Sequence, residues 1–173
     1  MTLPKPALPC ILLVSALALL ASCGQRDKGP AEPDARALEC MTRAMYFESN
    51  RSSRDGMIAV GTVVMNRVNS PDFPNTVCGV VSQKNQFAPG VMTRRMTDRG
   101  LPLAREAARE VLQGKRHPLI SKARFFHAVS YVANFNNIHY VATAGGNAFY
   151  EKRKPALVTR RTPPQQIEGL TGG

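Results

Sequence analysis

The stretch from residue 38 to residue 68 holds two helical patterns joined by a short polar turn, and this pairing constrains the fold most strongly. In the first pattern, Leu38, Met41 and Met45 recur at i, i+3 and i+7, which predicts one apolar face on a short helix. Glu48 follows three residues later on the same face. Its side chain is therefore expected to point inward.

A carboxyl group directed into an apolar wall has a raised pKa, because burial disfavours its charged form. Such a group keeps a proton near neutral pH, as a general acid must. Glu48 is therefore a candidate catalytic acid. The spacing alone is equally consistent with a solvated glutamate that merely ends the helix.

The second pattern predicts a longer helix that begins near Ser52 and Asp55, a capping-box-like pair, and stops at the Asn-Ser-Pro of residues 69–71. Its apolar face consists of Met57, Val60, Gly61, Val64 and Val68. A third helix is predicted between Pro102 and Gly114, since proline favours helix starts and glycine favours helix ends. The segment from 70 to 97 is predicted to be a loop.

The N-terminal part of the chain is typical of a secreted lipoprotein. The apolar run of residues 11–21 is too short to span a bilayer and has the form of a secretory signal. The adjoining Leu-Ala-Ser-Cys resembles the bacterial lipobox, so residues 1–22 are predicted to be a signal peptide and Cys23 a lipidated N-terminus. An ordinary signal peptide cut near this point is the alternative.

Gly24 follows the lipobox cysteine where an aspartate would indicate inner-membrane retention, so the predicted location is the outer membrane, facing the periplasm. Residues 23–36 are polar and contain glycine and proline, which predicts a flexible tether. At the other end, residues 153–173 are basic and proline-rich without periodicity, and are predicted to be a disordered tail.

The chain carries a formal charge of +11, and removal of residues 1–22 takes away only Lys5, leaving +10. Such an excess indicates a polyanionic partner: nucleic acid, anionic lipid or a carboxylate-bearing wall polymer. The secretory N-terminus argues against nucleic acid. A length of 173 residues with 43% apolar residues predicts one globular domain, and the absence of Trp argues against a lectin-like module.

The four cysteines separate by position. Cys10 belongs to the signal peptide and Cys23 takes the lipid, which leaves Cys40 and Cys78. A disulfide between these two is expected in an oxidising compartment, with two buried free thiols as the alternative.

Several separated blocks resemble the SleB-type cell wall hydrolase family. They are Ala-Met-Tyr-Phe-Glu at 44–48, the run from Gly56 through Asn66-Arg67-Val68, Phe-Pro-Asn-Thr-Val-Cys-Gly-Val-Val at 73–81, and Gln86-Phe87. The resemblance covers roughly residues 38–152, so that 37–152 is the expected catalytic domain. It implies Glu48 as the catalytic acid and an α+β, mainly helical, lysozyme-like single domain with short strands near its C-terminal part, related to lytic transglycosylases.

The resemblance also implies sugar-binding residues. Gln86 would offer an amide and Phe87 an apolar platform, although Phe87 as a core residue and Gln86 as a loop brace is nearly as consistent with the sequence. Residues 123–150 are rich in aromatic and β-branched residues around Gly-Gly, which predicts short strands or a hairpin. Tyr131, Asn147 and Tyr150 are placed near the groove.

Peptidoglycan is the substrate that the resemblance implies. No cofactor and no metal are predicted for the chain. Because acidic residues are scarce, a mechanism with one acid, as in lytic transglycosylases, fits the chain; hydrolysis would need a second carboxylate, from Asp55 or Glu151. A zinc peptidase or amidase using Glu48, His127 and His139 is one alternative. A non-catalytic, wall-binding lipoprotein is another, and the cleaved bond and any activating protein partner stay open.

Overall fold

The computed structural model describes residues 1–2, 31–49, 51 and 53–172. Cys23, nearly all of the predicted signal peptide and most of the predicted tether lie outside the described residues. Within the described ranges, no helix combines the length and the apolar character that crossing a membrane requires.

In the part of the chain that the structure describes, four α-helices are followed by a three-stranded sheet and then by a 3-10 turn, Pro155–Leu157. The helices are α1 (Ala35–Glu48), α2 (Arg54–Val68), α3 (Val77–Val81) and α4 (Leu101–Leu112). The strands are β1 (Phe125–Ala128), β2 (Ile138–Ala144) and β3 (Asn147–Lys152). The predicted mainly helical α+β fold is confirmed, and the short helix α3 interrupts the segment predicted to be a loop.

Side-chain caps explain where the first two helices begin. Asp34 Oδ1 accepts a hydrogen bond from Ala37 N at 2.8 Å, so that α1 starts at Ala35. Ser53 Oγ accepts one from Gly56 N at 2.9 Å, so that Ser53, and not Ser52, is the N-cap of α2. The predicted start of α2 was therefore wrong by one residue.

Helix α2 forms the centre of the domain. Met57, Ile58, Ala59 and Val60 are four consecutive residues without solvent exposure, so this helix is buried on all sides and not on one face. It packs against α1, α3 and α4, and its own side chains and theirs form one continuous core. The predicted single apolar face therefore understates the burial, because tertiary neighbours surround the helix.

The sheet is antiparallel with the strand order β1-β3-β2, which confirms the predicted hairpin. The β2–β3 connection is the two-residue turn Gly145-Gly146, whose φ angles of 56° and 83° suit glycine. Phe126 and Phe149 lie on the face that packs against the helices. The opposite face is described below because it carries the aromatic residues of the candidate site.

The C-terminal segment contacts the domain, so the prediction of a disordered tail requires correction. The Glu168 carboxylate accepts hydrogen bonds from Ser53 Oγ at 2.8 and 2.9 Å and from Gly145 N at 3.2 Å. Asp55, which is 2% exposed, accepts hydrogen bonds from the amides of Leu170 and Thr171 at 2.8 and 2.9 Å and also from the Thr171 hydroxyl. These polar contacts, invisible to a composition argument, hold the segment at the start of α2.

Replacing Asp55 by asparagine is expected to lower the free energy of unfolding at pH 7 by roughly 2 kcal/mol, since hydrogen bonds to a charged acceptor are lost. Burial raises the pKa of Asp55, but its hydrogen bonds from Thr171 and Leu170 outweigh burial, and the pKa lies below its ordinary value of 3.8. The stabilisation is thus complete above pH 3.8 and is lost as the pH falls through the lowered pKa. Urea titrations across pH measure this, with the exposed Asp72→Asn as control; an unchanged stability at pH 7 would contradict it.

The predicted disulfide joins Cys40 of α1 to Cys78 of α3, with the two Cα atoms 5.3 Å apart. It links residues separated by 38 positions and ties the helix that ends in Glu48 to the segment after Pro74. In the chain-entropy description, a loop of that size corresponds to about 3–4 kcal/mol of stabilisation.

The Cys40→Ser/Cys78→Ser double variant is accordingly expected to lose about 3 kcal/mol of unfolding free energy, measured by denaturant titration. The oxidised parent should be destabilised by reductant to a similar extent, whereas the variant should be indifferent to reductant. Equal stability of the parent with and without reductant is the result that this prediction excludes.

Candidate active site

The structure places Glu48 at the last residue of α1, with a partly buried side chain whose carboxylate accepts a hydrogen bond from Ala88 N. Burial raises the pKa of Glu48, against the smaller lowering effects of the Ala88 amide and the Arg67 cation. The inward orientation expected from the helical spacing is therefore found. A raised pKa increases the fraction of Glu48 that holds a proton at a given pH, which favours its use as a general acid.

Asn147 fixes the end of α1. Its side-chain amide donates to the Glu48 backbone carbonyl at 2.5 Å, and Asn147 itself is 6% exposed. A Cβ added at Gly56 would overlap both Gly145 Cα and Ser49 Oγ, so the β2–β3 turn and α2 meet just beyond Glu48. Asn147 therefore positions the backbone of Glu48, a different role from the predicted sugar contact.

Arg67 of α2 is the buried cation beside Glu48. Only 3% of it is exposed, and its guanidinium lies 5.2 Å, 5.4 Å and 6.0 Å from the ring centres of Phe73, Phe87 and Phe125. Burial lowers the pKa of Arg67 to about 10, while Tyr150 and Glu48 favour its charged form. Within the described residues its Nη1 atom has no hydrogen-bond partner.

Arg67 lies in one of the sequence blocks that resemble the family, but no role was predicted for it. A usable signal was present, because Arg67 comes three residues after Val64 and thus places a charge on a buried helical surface. Charges almost never lie on such surfaces unless they are paired.

Gln86 and Phe87 occupy different environments. Phe87 is 9% exposed and contacts Phe126 at 6.4 Å between ring centres, so it supports Arg67 from within the core. The Gln86 side chain is exposed. The contribution of this loop to the Glu48 carboxylate comes from the backbone amide of Ala88.

The outer aromatic face of the sheet consists of Phe125, His127, Tyr140 and Tyr150. The Phe125 and Tyr150 rings stack at 5.5 Å, and Tyr150 also contacts His127 at 5.7 Å and Tyr140 at 5.9 Å. Burial raises the pKa of Tyr150, with Tyr140 adding to the rise and Arg67 opposing it. Arg67 links this face to the candidate acid, since its guanidinium lies 6.0 Å from the ring centre of Phe125 and its charge acts on both Glu48 and Tyr150.

Tyr131, predicted near the groove, lies at the edge of the outer aromatic face. It is 55% exposed and its ring centre is 5.2 Å from that of His127. The sequence interpretation missed Phe125 and Tyr140 as members of this face. Strand alternation could have identified Phe125, since it shares one face of β1 with His127.

The two carboxylates considered for water activation are both engaged elsewhere. Asp55 binds the C-terminal segment, as described above. Glu151 forms an ion pair with Arg153 at 2.8 Å.

The residues proposed for a zinc site are also bound to other partners. His127 Nε2 lies 2.8 Å from the Tyr140 hydroxyl, and His139 Nδ1 lies 3.3 Å from Thr159 N. Among the residues that the structure describes, no cluster of three or more His, Cys, Asp or Glu could hold a metal ion. The groups that act on the Glu48 carboxylate are the Ala88 amide and the Arg67 cation, and neither histidine is among them.

Residues 51–150 match the sequence model of the family described as Cell Wall Hydrolase. This match covers more than half of the 173-residue chain, and the chain therefore belongs to the cell wall hydrolase family. Glu48 lies three residues before the first matched position.

Individual relatives agree with this assignment. The chain is 37% identical to the spore cortex-lytic enzyme of Bacillus cereus over 65 residues, which are 36% of this chain and 25% of the relative. It is 31% identical to the spore cortex-lytic enzyme of Bacillus subtilis strain 168 over 77 residues, 44% of this chain and 25% of the relative. The aligned part thus spans about a quarter of these relatives' length.

Two solved structures share the fold. The catalytic domain of the Bacillus cereus SleB protein superimposes with a TM-score of 0.58 at 24% identity, covering 74% of this chain and 99% of that domain. The catalytic domain of the germination-specific lytic transglycosylase SleB from Bacillus anthracis gives a TM-score of 0.58 at 25% identity, covering 70% and 99%. The SleB catalytic-domain fold predicted from the sequence is confirmed.

Proposed function

We propose that the protein cleaves the glycan strands of peptidoglycan and that Glu48 is its general acid and base. The observation that carries the proposal is the partly buried Glu48 carboxyl, whose pKa is raised and whose neighbour Arg67 contacts the aromatic sheet face at Phe125, in a chain of the cell wall hydrolase family. A related solved domain is named a lytic transglycosylase, which is consistent with this chemistry.

In the proposed reaction, protonated Glu48 gives its proton to the glycosidic oxygen as the C1–O bond breaks. The 6-hydroxyl of the same muramic acid then attacks C1, and the Glu48 carboxylate takes the hydroxyl proton. The products are a free hydroxyl end and a 1,6-anhydro end, with no water consumed. One carboxyl is sufficient for this cycle, which fits the engagement of Asp55 and Glu151 by other residues.

We infer separate roles for the remaining predicted residues. Tyr131 and Tyr150 offer ring surface on which sugar rings can stack, and Gln86 offers an exposed amide from the opposite loop. Asn147 and Phe87 act without touching the sugar: Asn147 bonds the backbone carbonyl of Glu48, and the Phe87 ring packs against the Arg67 guanidinium.

For the setting of the reaction, we propose the lipoprotein arrangement predicted from the N-terminus. Cys23 would carry the lipid, and residues 23–34 would connect the outer membrane to α1, because the last two residues of the predicted tether, 35 and 36, are helical. The polymer then lies within reach of the domain in the periplasm, and the excess of basic residues favours its anionic groups.

Mass spectrometry of purified peptidoglycan after digestion tests the proposal, using the chain from residue 31 and its Glu48→Gln variant. Anhydro-ended fragments from the parent alone are expected. Fragments with reducing ends would show that the reaction is hydrolysis and not transglycosylation. An absence of products with the parent would refute enzymatic cleavage by this chain and favour the wall-binding lipoprotein.

A further inference from the structure

A concave pocket of about 420 Å³ lies where the C-terminal end of α2 meets strands β1 and β3. Glu48 does not line it. Its lining includes Asn66, Lys122, Arg124, Phe125, Glu151 and Lys152. Three of these are cationic and one is anionic, and the proposed cleavage chemistry uses none of the charged ones.

The charges of this basic pocket do not cancel. Arg124 pairs with Asp72 at 2.7 Å, and Glu151 pairs with Arg153 at 2.8 Å. For Lys122 and Lys152, both exposed, the described part of the chain provides no carboxylate partner. Two ammonium groups are therefore available to an anionic ligand.

The basic pocket is continuous with the outer aromatic face. Phe125 belongs to both, since it lines the pocket and stacks on Tyr150. Lys152 follows Tyr150 by two residues in β3, so their side chains leave the same face of the strand, roughly 6–7 Å apart along it. The Lys152 ammonium lies 4.5 Å from the Phe125 ring centre.

The Phe125 ring and the two ammonium groups of this concave pocket together describe a site for a chain that carries carboxylates. Muramic acid in peptidoglycan bears such a chain, a peptide stem that branches from the glycan beside the bond to be cut. A glycan lying across Tyr150 could direct a stem toward Lys152. An ammonium–carboxylate contact is a charge-assisted hydrogen bond, and the Phe125 ring beside Lys152 adds an apolar surface to it.

We propose that the pocket bounded by Lys122, Phe125 and Lys152 binds a carboxylate of the peptide stem, a role that rests on the proposed cleavage of peptidoglycan. The site makes the enzyme selective for peptide-bearing glycan. Lys122 and Lys152 contribute binding and take no part in proton transfer at Glu48.

The test compares kcat/KM on intact peptidoglycan with kcat/KM on glycan strands whose stems have been removed by an amidase. The parent is expected to prefer the intact polymer by about tenfold, as one good charge-assisted contact allows. The Lys122→Gln/Lys152→Gln variant should lose this preference while keeping its rate on stripped strands. Arg105→Gln/Arg109→Gln, which removes two exposed charges from α4, is the matched control and should retain the preference.

A second measurement does not depend on cleavage. Free stem peptide is titrated into the parent and the double lysine variant, and amide chemical shifts are followed by NMR at Lys122, Phe125 and Lys152. Shifts in the parent that are absent in the variant are expected, and they would support the site even if no glycan were cut. No shifts in the parent, no preference for intact polymer, or an equal loss of both rates in the variant would each overturn the proposal.

Discussion

Replacing Glu48 by glutamine is expected to lower the rate of glycan cleavage by about a thousand-fold, because the amide can neither give nor take the proton that the reaction transfers. The substitution preserves the size of the side chain at the end of α1. It removes the burial cost of a charged carboxylate but also removes the anion beside Arg67. The Glu48→Gln protein should therefore still fold, and its loss of activity should appear in kcat.

The matched control for this prediction is Glu106→Gln. Glu106 lies on α4 with 61% of its side chain exposed and forms a surface ion pair with Arg54. Its loss should leave the rate of release of soluble fragments from peptidoglycan unchanged. A Glu48→Gln protein that cleaves at a rate comparable to the Glu106→Gln protein would exclude Glu48 as the acid.

The second large effect is expected at Arg67. Arg67→Met removes a buried cation that donates from Nε to the Arg124 carbonyl at 2.7 Å and contacts three phenylalanine rings. Breaking such an arrangement should lower the free energy of unfolding by roughly 3 kcal/mol, since the Arg124 carbonyl loses its donor and the three rings lose the cation packed against them. Thermal and urea unfolding measure the change.

The pH dependence separates the charge of Arg67 from its packing. Arg67 lowers the pKa of Glu48, so its removal favours the protonated carboxyl and should raise that pKa further. Cleavage that needs protonated Glu48 should then persist to higher pH in Arg67→Met than in the parent. Arg67→Lys keeps the charge but not the planar stacking, so it should lose stability without this shift. An upper pH limit that moves down in Arg67→Met would contradict the assigned role.

The local patterns that the sequence predicts correctly are those with a local cause. Glu48 closes α1 because the apolar residues before it recur with helical spacing, and the Gly145-Gly146 turn forms a hairpin because both positions take positive φ. The Cys40–Cys78 disulfide could be predicted because the chain carries a secretory N-terminus and because these two cysteines remain once Cys10 and Cys23 are assigned to the signal peptide and the lipid. In each case, neighbouring residues or simple chemistry restrict the possibilities.

The residues around Glu48 were harder to predict because distant segments create them. Arg67 acquires its surroundings from Phe73, Phe87 and Phe125, which tertiary folding brings together. The binding of Asp55 to Thr171 joins positions far apart in the chain, and composition suggested that the latter end was disordered. The spacing of residues along the chain does not predict contacts between such distant segments.

The docking of Thr171 against Asp55 also affects how the protein should be produced. Thr171 is 5% exposed, with its amide and hydroxyl both directed at the Asp55 carboxylate. An affinity tag fused directly after residue 173 would begin three positions from Thr171 and would strain the contact of this segment with α2. A tag placed before residue 31 avoids it, and a flexible spacer would be needed for any fusion at the other end.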